Sequence, residues 1–244
     1  MAASVADDFA TLSELRKAGK EKLSREVWAY AAGAAGTEQT RKRNRNALRH
    51  LALEQHILTD VREVDISTSL FGAKLPSPII AAPMGGLVNG WQDGEREMAR
   101  ATGASGHVET VSGACTWPME QIAEAGGGPL IFQLYFHGDR DWAAARLERV
   151  QKAGYKAVAL TVDSAVYSRR ERDIVLRYKP RQARSGPEPR GPDDTYPARL
   201  TWDDAAWIQR QLSIPFGLKG VMTAEDAVKS LDMGASFVWI SNHG

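Results

Sequence analysis

From Pro78 onward, six short apolar runs alternate with helical stretches, and that alternation limits the fold more than any other feature. The runs are Ile79 to Ala82, His107 to Val111, Leu130 to Tyr135, Ala157 to Val162, Phe216 to Lys219 and Phe237 to Ile240. Between them lie Gly94 to Ala101, Pro118 to Ala125, Arg140 to Ala153, Trp202 to Leu212 and Ala224 to Met233. Thr201 and Thr223 stand where helices start, and Gly154 and Gly234 where they stop. Adjacent parallel strands need a crossover, usually a helix, so the pattern predicts βαβ units in a doubly wound sheet or a (β/α) barrel. No Gly-x-Gly-x-x-Gly turn follows the first run, so the dinucleotide-binding fingerprint is absent.

The residues that close the runs favour the barrel. Ser112, Gln133 with Tyr135, Thr161 with Asp163, Lys219, and Ser241 with His243 all fall at or just past a strand's carboxyl end. A barrel gathers such ends around one mouth, whereas an open sheet spreads them along an edge. The sharpest instance is Ala159 to Asp173, where a buried strand delivers Thr161 and Asp163 and the adjacent arginines Arg169 and Arg170 follow one short loop later. An acid beside an arginine at such a rim can orient a base and hold an anionic substrate; the competing reading is a rim salt bridge.

Ahead of this pattern, Asp7 to Arg49 reads as helices, with Ser24 capping Arg25 to Ala32 and Thr37 capping a helix to Leu48. Tyr30-Ala-Ala-Gly-Ala-Ala-Gly between them is built of small residues that permit close backbone approach. Leu51 to Leu58 and Val64 to Leu70 suit short extended pieces. Residues 1–70 are thus a helical and extended lead-in, residues 78–244 carry six β/α units, and the whole is expected to be one domain. Lys179 to Arg199, rich in proline and arginine, is a lid or a passive loop. A formal charge of +1 makes no electrostatic case for nucleic acid or an anionic membrane, and the basic run Arg41 to Arg45 reads as a solvated helix face. No segment is long and apolar enough to span a bilayer, and no signal-peptide core opens the chain. The single cysteine, Cys115, excludes an internal disulfide and fits a reducing compartment, so the expected location is the cytoplasm. No metal is called for.

Gln133-Leu-Tyr135, Leu160-Thr-Val-Asp163 with Arg169-Arg170, Leu218-Lys219-Gly220-Val-Met-Thr-Ala-Glu-Asp226 and Ile240-Ser-Asn-His243-Gly244 resemble the FMN-dependent α-hydroxy acid oxidases and dehydrogenases. That family includes glycolate oxidase, lactate oxidase, mandelate dehydrogenase and the flavin domain of flavocytochrome b2. The similarity runs from Tyr30 to the last residue. It implies an α/β fold of (β/α)8 TIM-barrel type, about six of whose eight units are present, preceded by an N-terminal helical segment.

The resemblance further implies oxidation of an L-2-hydroxy acid, lactate- or glycolate-like, to the 2-oxo acid. FMN would be held by the backbone at Pro83, Met84 and Gly85 and by Ser112, Gln133, Tyr135, Thr161, Lys219 and Ser241. His243 matches the catalytic base and Asp163 the carboxylate that orients it; Arg170, Tyr30 and Tyr135 match groups that bind the substrate. Oxygen, a quinone or a cytochrome would accept the electrons, and the complete protein would be a tetramer. Ala114 departs from the bulky aromatic of glycolate oxidases and implies a different or larger substrate side chain. The family's motif continues past Gly244 into a second arginine and two more strand–helix units that carry the flavin-phosphate site. Their absence keeps a second reading open: an inactive remnant, or an interaction partner of an intact paralogue. Another FMN barrel, such as a type 2 isopentenyl diphosphate isomerase, fits the Asp163, Arg170 and His243 set less well.

Overall fold

A computed structural model describes residues 8–180 and 196–244, so most of the expected lid or loop at Lys179 to Arg199 lies outside the described residues. The chain opens with helices α1 (Leu12–Lys22), α2 (Arg25–Ala32) and α3 (Gln39–Arg49). Strands β1 (Thr68–Leu70), β2 (Ala73–Leu75) and β3 (Ile80–Ala81) follow, then α4 (Gly94–Ala104), β4 (Val108–Ser112), α5 (Met119–Gly126) and β5 (Leu130–Leu134). Next come α6 (Arg140–Lys152), β6 (Ala157–Thr161), α7 (Glu171–Val175), α8 (Trp202–Arg210), β7 (Phe216–Val221), α9 (Ala224–Asp232) and β8 (Phe237–Ile240). The described residues divide into two compact units, one of residues 8–50 with 168–180 and one of residues 51–167 with 196–244.

In the smaller unit, Ser24 caps α2 by accepting a hydrogen bond from Val27 N at 3.3 Å. The expected cap at Thr37 is instead Glu38, which takes a left-handed conformation (φ 64°) and makes no side-chain cap bond. Its carboxylate pairs with Arg41 at 2.6 Å and with Arg172 at 2.6 Å. An ion pair to a residue far along the chain fixes this helix start, so no local sequence rule could find it. Helix α3 buries none of its residues, consistent with a solvated basic face.

In the larger unit the six strands β3 to β8 form one parallel sheet in sequence order. This is the strand–helix order of a (β/α)8-type barrel, built here from six units. Thr201 and Thr223 cap α8 and α9 as expected, and the positive φ values of Gly154 (82°) and Gly234 (102°) turn the chain off the preceding helices. No strand forms over Leu51 to Leu58. The extended piece expected at Val64 to Leu70 forms a strand only in β1, which pairs antiparallel with β2 across a two-residue turn made by Phe71 and Gly72, both with positive φ.

Strand residues alternate between two apolar layers, as a period of two requires. Val111, Phe132, Leu134, Val158, Leu160, Phe216 and Leu218 face the helices and meet Ile122, Leu147 and Ile208. Val108, Ile131, Ala157 and Ala159 pack on the other face around Leu75 of the hairpin. Each fully buried Leu, Ile or Phe side chain contributes roughly 1.5–3 kcal/mol, so this double layer supplies the rigidity on which a site can be mounted.

One carboxyl breaks the apolar pattern. Glu109 on β4 is buried, and its Oε2 has no hydrogen-bond partner among the described residues. Burial pushes its pKa up to about 7, the nearby Glu95 adds to the rise, and the Thr102 hydroxyl opposes it. A folded-state value above the unfolded one means the fold is favoured while the carboxyl is protonated. Stability from this group is complete below the unfolded value of 4.5 and is lost as pH rises through about 7. The shift corresponds to a cost on the order of 3 kcal/mol for the ionised group. Urea unfolding of Glu109→Gln is expected to show a gain of about 2 kcal/mol near pH 8 and none near pH 5.

Candidate active site

The parallel sheet brings the polar strand ends together by the same alternation that builds the core. Gln133 lies two residues beyond Ile131, Thr161 two beyond Ala159, and Ser112 four beyond Val108, so all three share the inner face. Lys219 shares it because Phe216 and Leu218 face the helices. These four side chains are buried among the strand ends. Ser112 Oγ donates to Gln133 Oε1 at 3.0 Å, and Gln133 Nε2 donates to Thr161 Oγ1 at 2.6 Å. Lys219 Nζ donates to Ser241 Oγ at 3.3 Å. Burial lowers the pKa of Lys219, and the charge of Asp163 opposes that shift. A partly desolvated ammonium at a strand-end cluster gains most from an anion arriving beside it.

The loop after β3 completes this floor. Gly85 lies so close to the end of β4 that a Cβ there would sit 3.1 Å from Ala114 Cβ and 3.5 Å from Ser112 Oγ. The backbone at Gly85 therefore borders the polar floor with only small groups between. The side-chain set suits FMN: amide and hydroxyl groups that donate or accept, and one cation.

Just past β6, Asp163 Oδ2 meets His243 Nδ1 at 2.8 Å. An ionised carboxylate only accepts, so Nδ1 carries a proton, and in the neutral imidazole Nε2 is then the atom with the lone pair. The Tyr135 hydroxyl stands 3.4 Å from that Nε2, near the limit of a hydrogen bond. His243 itself adopts φ 57°, uncommon for a residue with a Cβ, and its backbone N donates to Ser241 Oγ at 3.3 Å. Asp163 is mostly enclosed while His243 remains 44% exposed, so the acid is fixed and the base is reachable. Asp163 Oδ1 is buried without a hydrogen-bond partner among the described residues, which leaves acceptor capacity beside the imidazole.

Gly220 makes this geometry possible, a role that sequence reasoning missed. It has φ 116° and marks a register shift between Lys219 and Val221, and a Cβ on it would lie 2.6 Å from Asp163 Cβ and Cγ. A glycine inside a strand is the signal of a bulge or a close approach, and here it is both.

Tyr30 and Arg170 belong to the smaller unit and meet there. Arg170 Nη2 donates to the Tyr30 carbonyl at 2.5 Å, and its guanidinium carbon lies 4.7 Å from the centre of the Tyr30 ring. Arg170 Nε donates to Asp173 Oδ2 at 2.7 Å. Of the residues predicted from sequence, the larger unit assembles Ser112, Gln133, Tyr135, Thr161, Asp163, Lys219, Ser241 and His243, with Gly85 bordering them.

Comparison with known proteins points the same way. The FMN-dependent dehydrogenase family matches residues 19–244. Glycolate oxidase of Spinacia oleracea is 35% identical over 254 residues, an alignment that spans 97% of this chain and 69% of that enzyme. A solved flavocytochrome b2 variant with sulfite bound superposes with a TM-score of 0.86 at 29% identity, over 98% of this chain and 60% of that one. A mandelate oxidase with 3,3-difluoro-2-hydroxy-3-phenylpropionic acid gives a TM-score of 0.87 at 28% identity, over 96% of this chain and 69% of that one. The chain thus spans less than two thirds of the flavocytochrome b2 chain that it matches.

Proposed function

Because the chain belongs to the FMN-dependent dehydrogenase family, we propose that it oxidises an L-2-hydroxy acid, lactate- or glycolate-like, to the 2-oxo acid. The observation that carries this reading is the Asp163–His243 pair beside a buried lysine at the strand ends. Bound FMN would supply the two-electron acceptor. Ser112, Gln133, Thr161, Ser241 and the backbone of Pro83 to Gly85 would hold it, with Lys219 placing positive charge where negative charge develops. His243 Nε2 takes a proton from the substrate, displacing the long contact to Tyr135, while Asp163 fixes the ring and stabilises the imidazolium that forms. Arg170, a planar two-pronged donor, grips the substrate carboxylate, with Tyr30 and Tyr135 as hydrogen-bonding partners. Oxygen, a quinone or a cytochrome would be the final electron acceptor. The reading includes a cytoplasmic location, supported by a lone cysteine that is buried and whose thiol burial pushes well above its ordinary pKa, and a tetrameric assembly of the complete protein. Among the described residues no helix is long and apolar enough to cross a membrane.

The test is product formation: the FMN-loaded chain, given glycolate or either enantiomer of lactate or mandelate with an artificial acceptor, should yield a 2-oxo acid trapped as its hydrazone from the achiral glycolate or from an L-acid, and none from a D-acid. Absence of product from every acid would sink the reading. Ala114, which stands where glycolate oxidases carry a bulky aromatic, would extend the substrate range to a different or larger side chain. Ala114→Trp is expected to lower kcat/KM for mandelate by about 100-fold and for glycolate by less than about threefold, the asymmetry expected when a pocket is filled rather than its chemistry altered.

A further inference from the structure

Two residues in the first turn of α4 reach across to the loop that follows β4. Glu95 is 1% exposed, and among the described residues every hydrogen bond to its carboxylate comes from that loop. Its Oε2 accepts from Thr116 N and Trp117 N at 2.9 Å each and from Thr116 Oγ1 at 3.0 Å, and Oε1 lies 3.0 Å from Thr116 N. The adjacent Arg96 holds its guanidinium carbon 3.8 Å from the centre of the Trp117 ring while pairing with Asp93 at 2.5 Å. Trp117 Nε1 donates to the Gln92 carbonyl at 3.1 Å. A buried carboxylate needs its donors held in place, so Glu95 ties this loop down more firmly than a neutral acceptor would.

The same loop governs the polar floor of the site. Residues 112–115 form a tight turn in which Cys115 N donates to the Ser112 carbonyl at 3.1 Å. Gly113 lies so close to β5 that a Cβ on it would sit 2.7 Å from the Gln133 carbonyl, and Arg146 of α6 donates to the Gly113 carbonyl at 3.3 Å. Within the turn, Ala114 N donates to Ser112 Oγ at 3.1 Å. That bond occupies a lone pair of the hydroxyl and leaves its proton for Gln133 Oε1, which turns Nε2 of the same amide to Thr161. The direction of this chain of hydrogen bonds is therefore set from Ala114, two residues before the threonine that Glu95 grips.

We infer that Glu95 is a positioning residue of the flavin site: by fixing Thr116 and Trp117 it keeps Ala114 N on Ser112 and so orients the Ser112 hydroxyl and the Gln133 amide for FMN. This role rests on the proposed flavin chemistry. Glu95→Gln keeps the size of the side chain but, whichever way the new amide is turned, sets an NH2 group against Thr116 N.

The experiment compares parent and Glu95→Gln, first as flavin-free chains by NMR and then by FMN titration. Exchange of the Ala114 backbone amide and of the Gln133 side-chain amide should quicken by about tenfold, while Val158 to Leu160 of β6 stay unchanged. The Kd for FMN should rise by about tenfold. Thr116→Val, which removes one donor and keeps the carboxylate, should move both amides by about threefold and decides the matter if the glutamine variant does not fold. A carboxylate that only stabilises the fold would lower the urea midpoint and leave the Gln133 amide as it was, which would overturn the inference. So would equal FMN affinity in parent and variant. A parent chain that binds no FMN would instead count against the proposed reaction, and the Gln133 amide of the flavin-free chains would still judge the role of Glu95.

Discussion

Replacing His243 by glutamine is expected to slow the reduction of bound FMN by a 2-hydroxy acid by about 100- to 10,000-fold, the range general-base catalysis supplies. The effect follows from one lone pair. Asp163 accepts from Nδ1 at 2.8 Å, so Nε2 is the unprotonated atom that faces Tyr135. Glutamine can occupy the space and hydrogen-bond, but its amide cannot take up a proton at neutral pH. FMN affinity should stay within about twofold of the parent, because none of the hydrogen bonds within the polar floor involves the imidazole. Stopped-flow absorbance under anaerobic conditions, together with a flavin titration, separates the two quantities. Unchanged reduction would remove His243 from the mechanism.

Lys219→Met should also slow reduction by about 100-fold or more, by a different physical route. The lysine is buried at the mouth, and burial already disfavours its ammonium, so negative charge developing nearby gains more from it than it would from a solvated lysine. Methionine keeps the length and volume of the stem while removing the charge. The reduced flavin loses its counter-charge, and the midpoint potential should move to more negative values; His243→Gln should leave the potential where it was. Equal potentials in the parent and the lysine variant would show that Lys219 only fills space.

Much of this site was legible because strand ends in a parallel sheet are addressed by counting. Once Ile131, Ala159 and Val108 are placed inward, Gln133, Thr161 and Ser112 follow by parity, and the pairing of Phe237–Ile240 fell within the run read from sequence. The features that were not legible depend on residues far apart in the chain. Glu38 starts its helix in a left-handed conformation while paired to Arg172. Gly220 carries β7 through a register shift to make room for Asp163, which lengthens that strand past Lys219 to Val221. The five-residue helix Glu171–Val175 is too short to show a period. Glu109 looks like any alternating strand residue in sequence, and only the packing of the helices against β4 reveals a carboxyl with nowhere to place its charge.

The central claim is that this chain assembles a working flavin site, and the visible absorption spectrum of the purified chain with added FMN tests it most directly. The spectrum would be recorded before and after anaerobic addition of lactate, glycolate and mandelate. The account predicts a bound flavin whose visible bands bleach with at least one of the three acids and return when oxygen or another acceptor is admitted. Flavin that stays free in solution, or that binds and remains oxidised with every acid, would contradict it and favour the reading of an inactive relative that acts through assembly.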